Sequence, residues 1–342
     1  MKLALITGIT GQDGSYLADY LLTNDYEVHG VVRRTSSLER SRLAHLFKNP
    51  DIYNKRLFLH YADLEDITAL RRIFLGIQAD ELYHLAGQSH VGLSFPMAEM
   101  TCDLTAIGTL RLLEIMRDMP GKPRLFHPSS SEIFGQPKSF PQNEDTPYLP
   151  TSPYGCAKAF ATQIVKVYRD CYGLFACNGI MYNHESPRRG ENFVSRKICR
   201  AAAAIKLGLQ SKLVLGNLDA ERDWGYAPDY VRGMWLSLQQ QKADDYLFAT
   251  GETHSVRELV DLAFNAMDLK WESYVELDTT LFRPSEPLRL VGNASKAKHE
   301  LGWMPSCSFQ ELINLITRTE FDSLQQLGSE RPLSGGIAFN RT

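Results

Sequence analysis

The sequence predicts an α/β protein: a doubly wound parallel Rossmann-type sheet with a smaller, mostly C-terminal α/β substrate-binding region. Three observations predict it. Short apolar runs alternate with longer helical patterns over the first two-thirds of the chain. A glycine-spaced turn follows the first run. From about residue 183 the alternation gives way to Pro, Gly and Arg mixed with shorter helices.

The expected strands are Leu3–Ile6, Val28–Val32, Leu57–His60, Glu81–Leu85, Arg124–His127 and Phe175–Met181. Few polar residues interrupt them, which fits a sheet covered on both faces. Helical patterns lie near Tyr16–Thr23, Ile67–Leu75, Leu104–Arg117 and Tyr154–Tyr172, and then at Val194–Leu207, Asp229–Gln240, Ser255–Ala266 and Phe309–Glu320. The domain reading is 1–182 for a dinucleotide-binding unit carrying the catalytic residues. Residues 183–325 are mainly the substrate region, with parts free to interleave with the first. Residues 326–342 form a polar, Gly-rich tail expected to be poorly ordered.

A chain of 342 residues can bury a large core. A net charge of −3 argues against a nucleic-acid partner or a polybasic membrane surface. No apolar run approaches the ~18 residues of a membrane span, and the short N-terminal segment does not resemble a signal peptide. The six cysteines lack Cys-x-x-Cys spacing, so buried thiols are expected rather than a disulfide framework or a metal site. A cytoplasmic location follows. Basic doublets at Arg33-Arg34, Arg188-Arg189 and Arg196-Lys197 suit a small anionic ligand.

Gly8, Thr10, Gly11, Gln12, Asp13 and Gly14 lie in a turn between the first strand and a helix. The glycines permit close approach of backbone to a pyrophosphate at a helix N-terminus. The second strand ends in Arg33-Arg34 with no carboxylate to take the ribose hydroxyls, which points to NADP over NAD. Asp63 and Leu64, after the third strand, are placed for the adenine, although Asp63 could instead cap a helix. Leu85, Gln88 and Ser89, after the fourth strand, bring backbone near the cofactor.

Tyr154 and Lys158 are four apart and share a helix face. A neighbouring ammonium favours a phenolate, which suits proton abstraction from an alcohol. Ser129-Ser130-Ser131-Glu132 lies some 20 residues earlier and offers a second acid/base, although the same residues could form only a polar turn and a helix cap. Two proton-handling centres suggest an oxidation followed by an elimination.

Together these motifs resemble the extended short-chain dehydrogenase/reductases that act on nucleotide sugars. Gly8–Leu17, Val32-Arg33-Arg34, the octapeptide Asn183–Gly190, Leu215–Gly225 and Phe282–Glu286 are similar to the GDP-mannose 4,6-dehydratase family over roughly residues 1–322. The resemblance implies that Tyr154 takes the C4 hydroxyl proton as hydride passes to NADP⁺. Glu132 then removes the C5 proton and helps water leave C6, Ser130 holds O4, and hydride returns to C6. Lys158 would lower the Tyr154 pKa and bind the nicotinamide ribose, and His184 would contact the nicotinamide end. Asn183, Lys197, Arg222, Arg283 and Glu286, with Ser89 and Glu132, would hold a GDP-sugar. A loop from Arg33 to Arg42 would reach a neighbouring subunit, favouring a tetramer over a dimer, although composition alone fits a surface loop equally.

This chain departs from the family at His127-Pro128, where Gln-Ala is usual, and at Cys156, Phe160, Ala161, Thr162 and Gln163, where bulkier aromatics are common. The latter are expected to flank the sugar. They leave GDP-D-glycero-D-manno-heptose open beside GDP-mannose. A nucleotide-sugar epimerase would not need Glu132, and a non-catalytic NADP-binding regulator would need none of the acid/base residues.

Overall fold

A computed structural model describes residues 1–34, 41–282 and 289–329. β1 (Lys2–Thr7) passes through the glycine turn into α1 (Gln12–Thr23) and β2 (Tyr26–Val32). Next come α2 (Ala44–Phe47), β3 (Leu57–Tyr61), α3 (Ile67–Ile77) and β4 (Glu81–His84). Short helices α4 (Val91–Ser94) and α5 (Ala98–Cys102) lead through a π-helical turn (Asp103–Ile107) into α6 (Gly108–Asp118). β5 (Arg124–Ser130), α7 (Pro153–Tyr172) and β6 (Ala176–Met181) complete the expected alternation. Beyond lie β7 (Asn183–Glu185), α8 (Val194–Lys206), β8 (Leu213–Leu215), β9 (Glu221–Arg222), β10 (Trp224–Tyr226), α9 (Ala227–Leu238) and β11 (Asp245–Phe248). The described chain ends with β12 (His254–Ser255), α10 (Val256–Asn265), β13 (Val275–Leu277), β14 (Arg289–Leu290), α11 (Ser295–Leu301) and α12 (Phe309–Ser329).

The main sheet is parallel, in the order β11-β6-β5-β4-β1-β2-β3. Its side chains alternate between two cores, as a pleated strand requires. Ala4, Ile6 and Val28 pack with Leu17 and Leu21 of α1 and with Tyr230 and Met234 of α9. Leu5, Val31 and Leu82 face Phe74 of α3, Met116 of α6 and Val165 of α7. A third cluster joins α8, α10 and α12 through Ile198, Ala202, Leu259, Ala263, Leu312 and Ile316.

The structure adds to the sequence reading in three places. β11 is a seventh strand of the main sheet, not anticipated because it spans four residues after a polar loop. α9, placed by pattern in the substrate region, covers the main sheet beside α1, so the chain crosses the expected 182/183 boundary more than once. The expected tail begins too early: α12 is helical through Ser329. The rest of that tail lies outside the described residues.

α7 carries the Tyr-Lys pair, and its ends are set by sequence. Ser152 is the N-cap, accepting from Gly155 N–H at 3.0 Å, and Pro153 occupies the first turn. Gly173 closes the helix in the left-handed conformation.

Candidate active site

The glycine turn is shaped for an anion. Gly8 has φ +74°, and a Cβ there would lie 2.7 Å from Ala86 N at the end of β4. A Cβ on Gly14 would meet Gly8 O at 2.4 Å, so this glycine lets α1 pack against its own entry turn. Gly11 caps α1 without a side-chain hydrogen bond, an arrangement that suits an anion at the first-turn N–H groups. The Arg42 guanidinium donates to Thr10 O at 3.2 Å and to Arg188 O at 2.7 Å, bracing the turn from outside. Burial, and then the neighbouring Arg196 and Arg188, lower the Arg42 pKa.

Gln12 and Asp13 look inward. Gln12 Nε2 donates to His184 O and to Asp13 Oδ1, and its Oε1 accepts from Ser186. His184 Nδ1 donates to Tyr182 O at 2.7 Å and Nε2 to Asp13 Oδ2 at 2.9 Å, while its ring stacks on Tyr230. Burial works against charge on both partners. Their mutual attraction and hydrogen bond outweigh it, bringing Asp13 down to about 2 and raising His184. Both ring nitrogens of His184 are therefore engaged by protein, and the expected contact with a nicotinamide has neither of them to spare. Through these bonds it ties the glycine turn to β7.

Arg33 is exposed at the end of β2, beside the turn. Asp66, not Asp63, caps α3 by accepting from Ala69 N–H, which removes the competing reading of Asp63. Asp63 instead accepts from Leu64 N–H at 2.7 Å. Leu85 is half-buried and Ser89 exposed. Gln88 folds back on its own turn, donating to His90 O and Thr101 and accepting from His90 N–H.

The acid/base residues meet where β5 faces α7. Ser130 closes β5, Glu132 follows in a 3₁₀ turn, and Tyr154 opens α7; all three are buried. Gly155 makes this approach possible, since a Cβ there would lie 2.6 Å from Glu132 O. Burial pushes the Tyr154 phenol up to about 12; a hydrogen bond from Ser130 opposes this and the Glu132 charge adds to it. The expected lowering by Lys158 is not found. The Lys158 Nζ donates to Pro128 O at 2.6 Å and lies 5.9 Å from the Tyr154 ring centroid. Burial brings this ammonium down to about 8, with Asp13 working to raise it.

Cys156 and Phe160 do not flank the site. They lie about 200° around the helix from Tyr154 and Lys158 respectively, and both are exposed, as is Gln163. Ala161 and Thr162 are buried under α7, with Thr162 Oγ1 2.6 Å from Ser129 Oγ.

On the substrate side, β7 runs beside β10 with Asn183 opposite Trp224, and the buried Arg222 lies two residues before. Arg222 donates to Glu221 O at 2.7 Å. Lys197 is exposed on α8 and donates to Val214 O. Arg283 and Glu286 lie outside the described residues. In two basic doublets the first arginine is held in an ion pair. Arg188 pairs with Asp19, and Arg196 pairs with the buried Glu320. Arg189, the second arginine of its doublet, lies nearer the acid/base residues. It sits 3.1 Å from Glu185 and over the Phe193 ring, close enough to Asp13, His184 and Tyr154 to shift all three. Among the described residues no group of side chains could hold a metal ion, and no helix is long and apolar enough to cross a membrane.

A dinucleotide turn at the carboxyl ends of a parallel sheet, with Ser130, Tyr154 and Lys158 gathered beside it, defines an extended short-chain dehydrogenase/reductase fold. Among solved structures, dTDP-glucose 4,6-dehydratase DesIV from Streptomyces venezuelae, with NAD and TYD bound, superposes with a TM-score of 0.82 at 27% identity, covering 97% of this chain and 100% of that one. The family model for GDP-mannose 4,6 dehydratase matches residues 5–316, and the chain belongs to that family. GDP-mannose 4,6 dehydratase 2 of Arabidopsis thaliana is 52% identical over 326 residues, covering 94% of this chain and 87% of the relative. The human GDP-mannose 4,6 dehydratase is 46% identical, covering 95% and 92%.

Proposed function

We propose that this chain is a hydro-lyase converting GDP-D-mannose to GDP-4-keto-6-deoxy-D-mannose. The observation that carries the reading is Glu132 buried beside Tyr154 and Ser130, a second acid/base where a plain dehydrogenase needs only one. A bound nicotinamide dinucleotide supplies the acceptor of hydride from C4 and its return to C6. Tyr154 takes the C4 hydroxyl proton, and Ser130 holds O4. The 4-ketone acidifies the C5 proton, which Glu132 removes before protonating the departing C6 hydroxyl. A proton returned to C5 completes the product. Lys158 supplies a buried cation, and Asn183, Lys197, Arg222 and Arg283 suit the diphosphate, with Glu286 near the nucleoside.

Incubation with GDP-mannose and the oxidised dinucleotide, read by mass spectrometry, tests this. A product lighter by one water, without accumulation of reduced dinucleotide, supports it. An unchanged mass with an inverted centre would replace it with epimerisation. The ground for keeping a heptose open beside GDP-mannose weakens, because Cys156 and Phe160 face away from Tyr154. Faster turnover of GDP-D-glycero-D-manno-heptose than of GDP-mannose would restore it.

For the dinucleotide we infer NADP. The support is Arg33, exposed at the end of β2 with Arg34 beside it and no carboxylate there. Arg33→Ala is expected to weaken NADP⁺ about 10-fold or more, the scale of one charged hydrogen bond, and to leave NAD⁺ binding unchanged. Equal loss for both in a binding titration would contradict the assignment.

We also infer a homo-oligomer in the cytoplasm. Phe160 and Val167 are exposed one above the other on α7, with Ile107 exposed on the preceding π-helical turn. The six cysteines are free thiols. A monomer by light scattering would refute the oligomer; a tetramer is the size we favour.

A further inference from the structure

A polar row crosses the main sheet beneath α7. Thr7 on β1 is in register with His84 on β4, His127 on β5 with Asn178 on β6, and Asn178 with Asp245 on β11. Tyr83 stands opposite Phe126, which sets His84 beside His127, their ring centroids 5.9 Å apart. Neighbours in register on parallel strands share a face at about 4.8 Å, so five polar side chains form one line. All five are buried. A helix-covered parallel sheet is otherwise apolar at such positions.

Both ends of the line are hydrogen-bonded. Thr7 Oγ1 accepts from Ala86 N–H and lies 2.9 Å from His84 Nδ1. Asn178 Nδ2 donates to Asp245 Oδ1 at 2.9 Å, and Asp245 is held by Lys166 and Arg169. The middle differs. Among the described residues, both ring nitrogens of His127 and Oδ1 of the adjacent Asn178 are buried and meet no hydrogen-bond partner. Lys158 reaches the same place from above. Its Nζ donates to the carbonyl of Pro128, the residue after His127, and an ammonium has two more protons to place.

We propose that His127 and Asn178 hold one buried water, and that through this water His127 is a positioning residue for Lys158, giving its ammonium a second acceptor inside the fold. The water accepts from Lys158 and donates to His127 and to Asn178 Oδ1. Three partners is the usual number for a buried water. His127 is suited to accept: burial first, then Lys158 and His84, keep the imidazole neutral, so one ring nitrogen carries a lone pair. The ionisable groups around Lys158 are Asp13 at the start of α1, His84 on β4, His127 on β5, and Tyr154 on α7 with Glu132 behind it. Asp13 supports the ammonium, and burial opposes it. Without the water, burial has less against it.

The inference rests on the proposed reaction only through its need for a charged Lys158. His127→Leu removes the acceptor, and His127→Gln retains one. The high-pH limb of kcat/KM for GDP-mannose is expected to move down by about one pH unit in H127L, with KM at neutral pH within about twofold of wild type, and to stay in place in H127Q. An H127L limb that stays in place, with activity lowered equally at every pH, overturns the proposal. A high-resolution crystal structure of the unaltered protein decides independently of whether the variants fold. Density for a water within about 3 Å of His127 and Asn178 Oδ1 is expected, and a dry site overturns the proposal. An inactive wild-type enzyme would count against the proposed function and leave this crystallographic result standing.

Discussion

Glu132→Gln leaves oxidation at C4 running and slows loss of water by about 10²–10⁴-fold, the range of one general acid/base. The amide keeps the shape of the side chain but can neither take the C5 proton nor deliver it to the C6 oxygen. Because Glu132 lies beside Tyr154 without a direct part in its proton transfer, the first half-reaction should survive. Reduced dinucleotide and a GDP-4-keto sugar retaining its C6 oxygen should then accumulate, where neither does in the unaltered enzyme. Rapid quench with mass analysis separates the two steps. Equal loss of both would reduce Glu132 to a structural residue and take with it the argument for elimination.

Tyr154→Phe stops the reaction earlier, with no ketone formed and a loss of at least about 10³-fold. The electrostatics around this residue make a sharper forecast. Burial holds the phenol near 12, so it is protonated at neutral pH. Lys158, at about 8, carries its charge below that pH and loses it above. Activity that depends on the Lys158 cation should therefore fall as pH rises through about 8. Oxidised dinucleotide brings a cationic ring, and a nearby positive charge favours the phenolate. Difference absorbance should show Tyr154 titrating near 12 in the protein alone and lower once NADP⁺ is added, with Y154F as the blank. An unmoved titration would mean that the phenol is activated some other way, through Ser130 first of all.

The parallel sheet and the site differ in how far they could be read from the residues. Alternating runs place β1 to β6 within a few positions, since each strand carries apolar residues on both faces. β11 escapes this reading because four residues after a polar loop carry too little pattern, and α9 because an amphipathic helix does not say which sheet it covers. Ser130, Glu132, Tyr154 and Lys158 are legible because their spacing follows from a strand end and one helix face. The His184–Asp13 tie is not, since its partners are separated by 171 residues and meet only through the fold. Cys156 and Phe160 differ for another reason. Both are near Tyr154 in sequence, but helical phase turns them outward. The high phenol pKa was hidden for a related reason. An i,i+4 spacing puts Lys158 on the right face but does not say that its ammonium will turn to Pro128 O.

The central claim is that one active site removes hydride at C4 and returns it to C6 of the same sugar. GDP-mannose deuterated at C4, converted by the enzyme with unlabelled NADP⁺, tests it most directly. Return of the same hydride gives a 4-keto-6-deoxy product carrying the deuterium at C6. A dehydrated product with only hydrogen at C6, or deuterium lost to the dinucleotide pool, would contradict it.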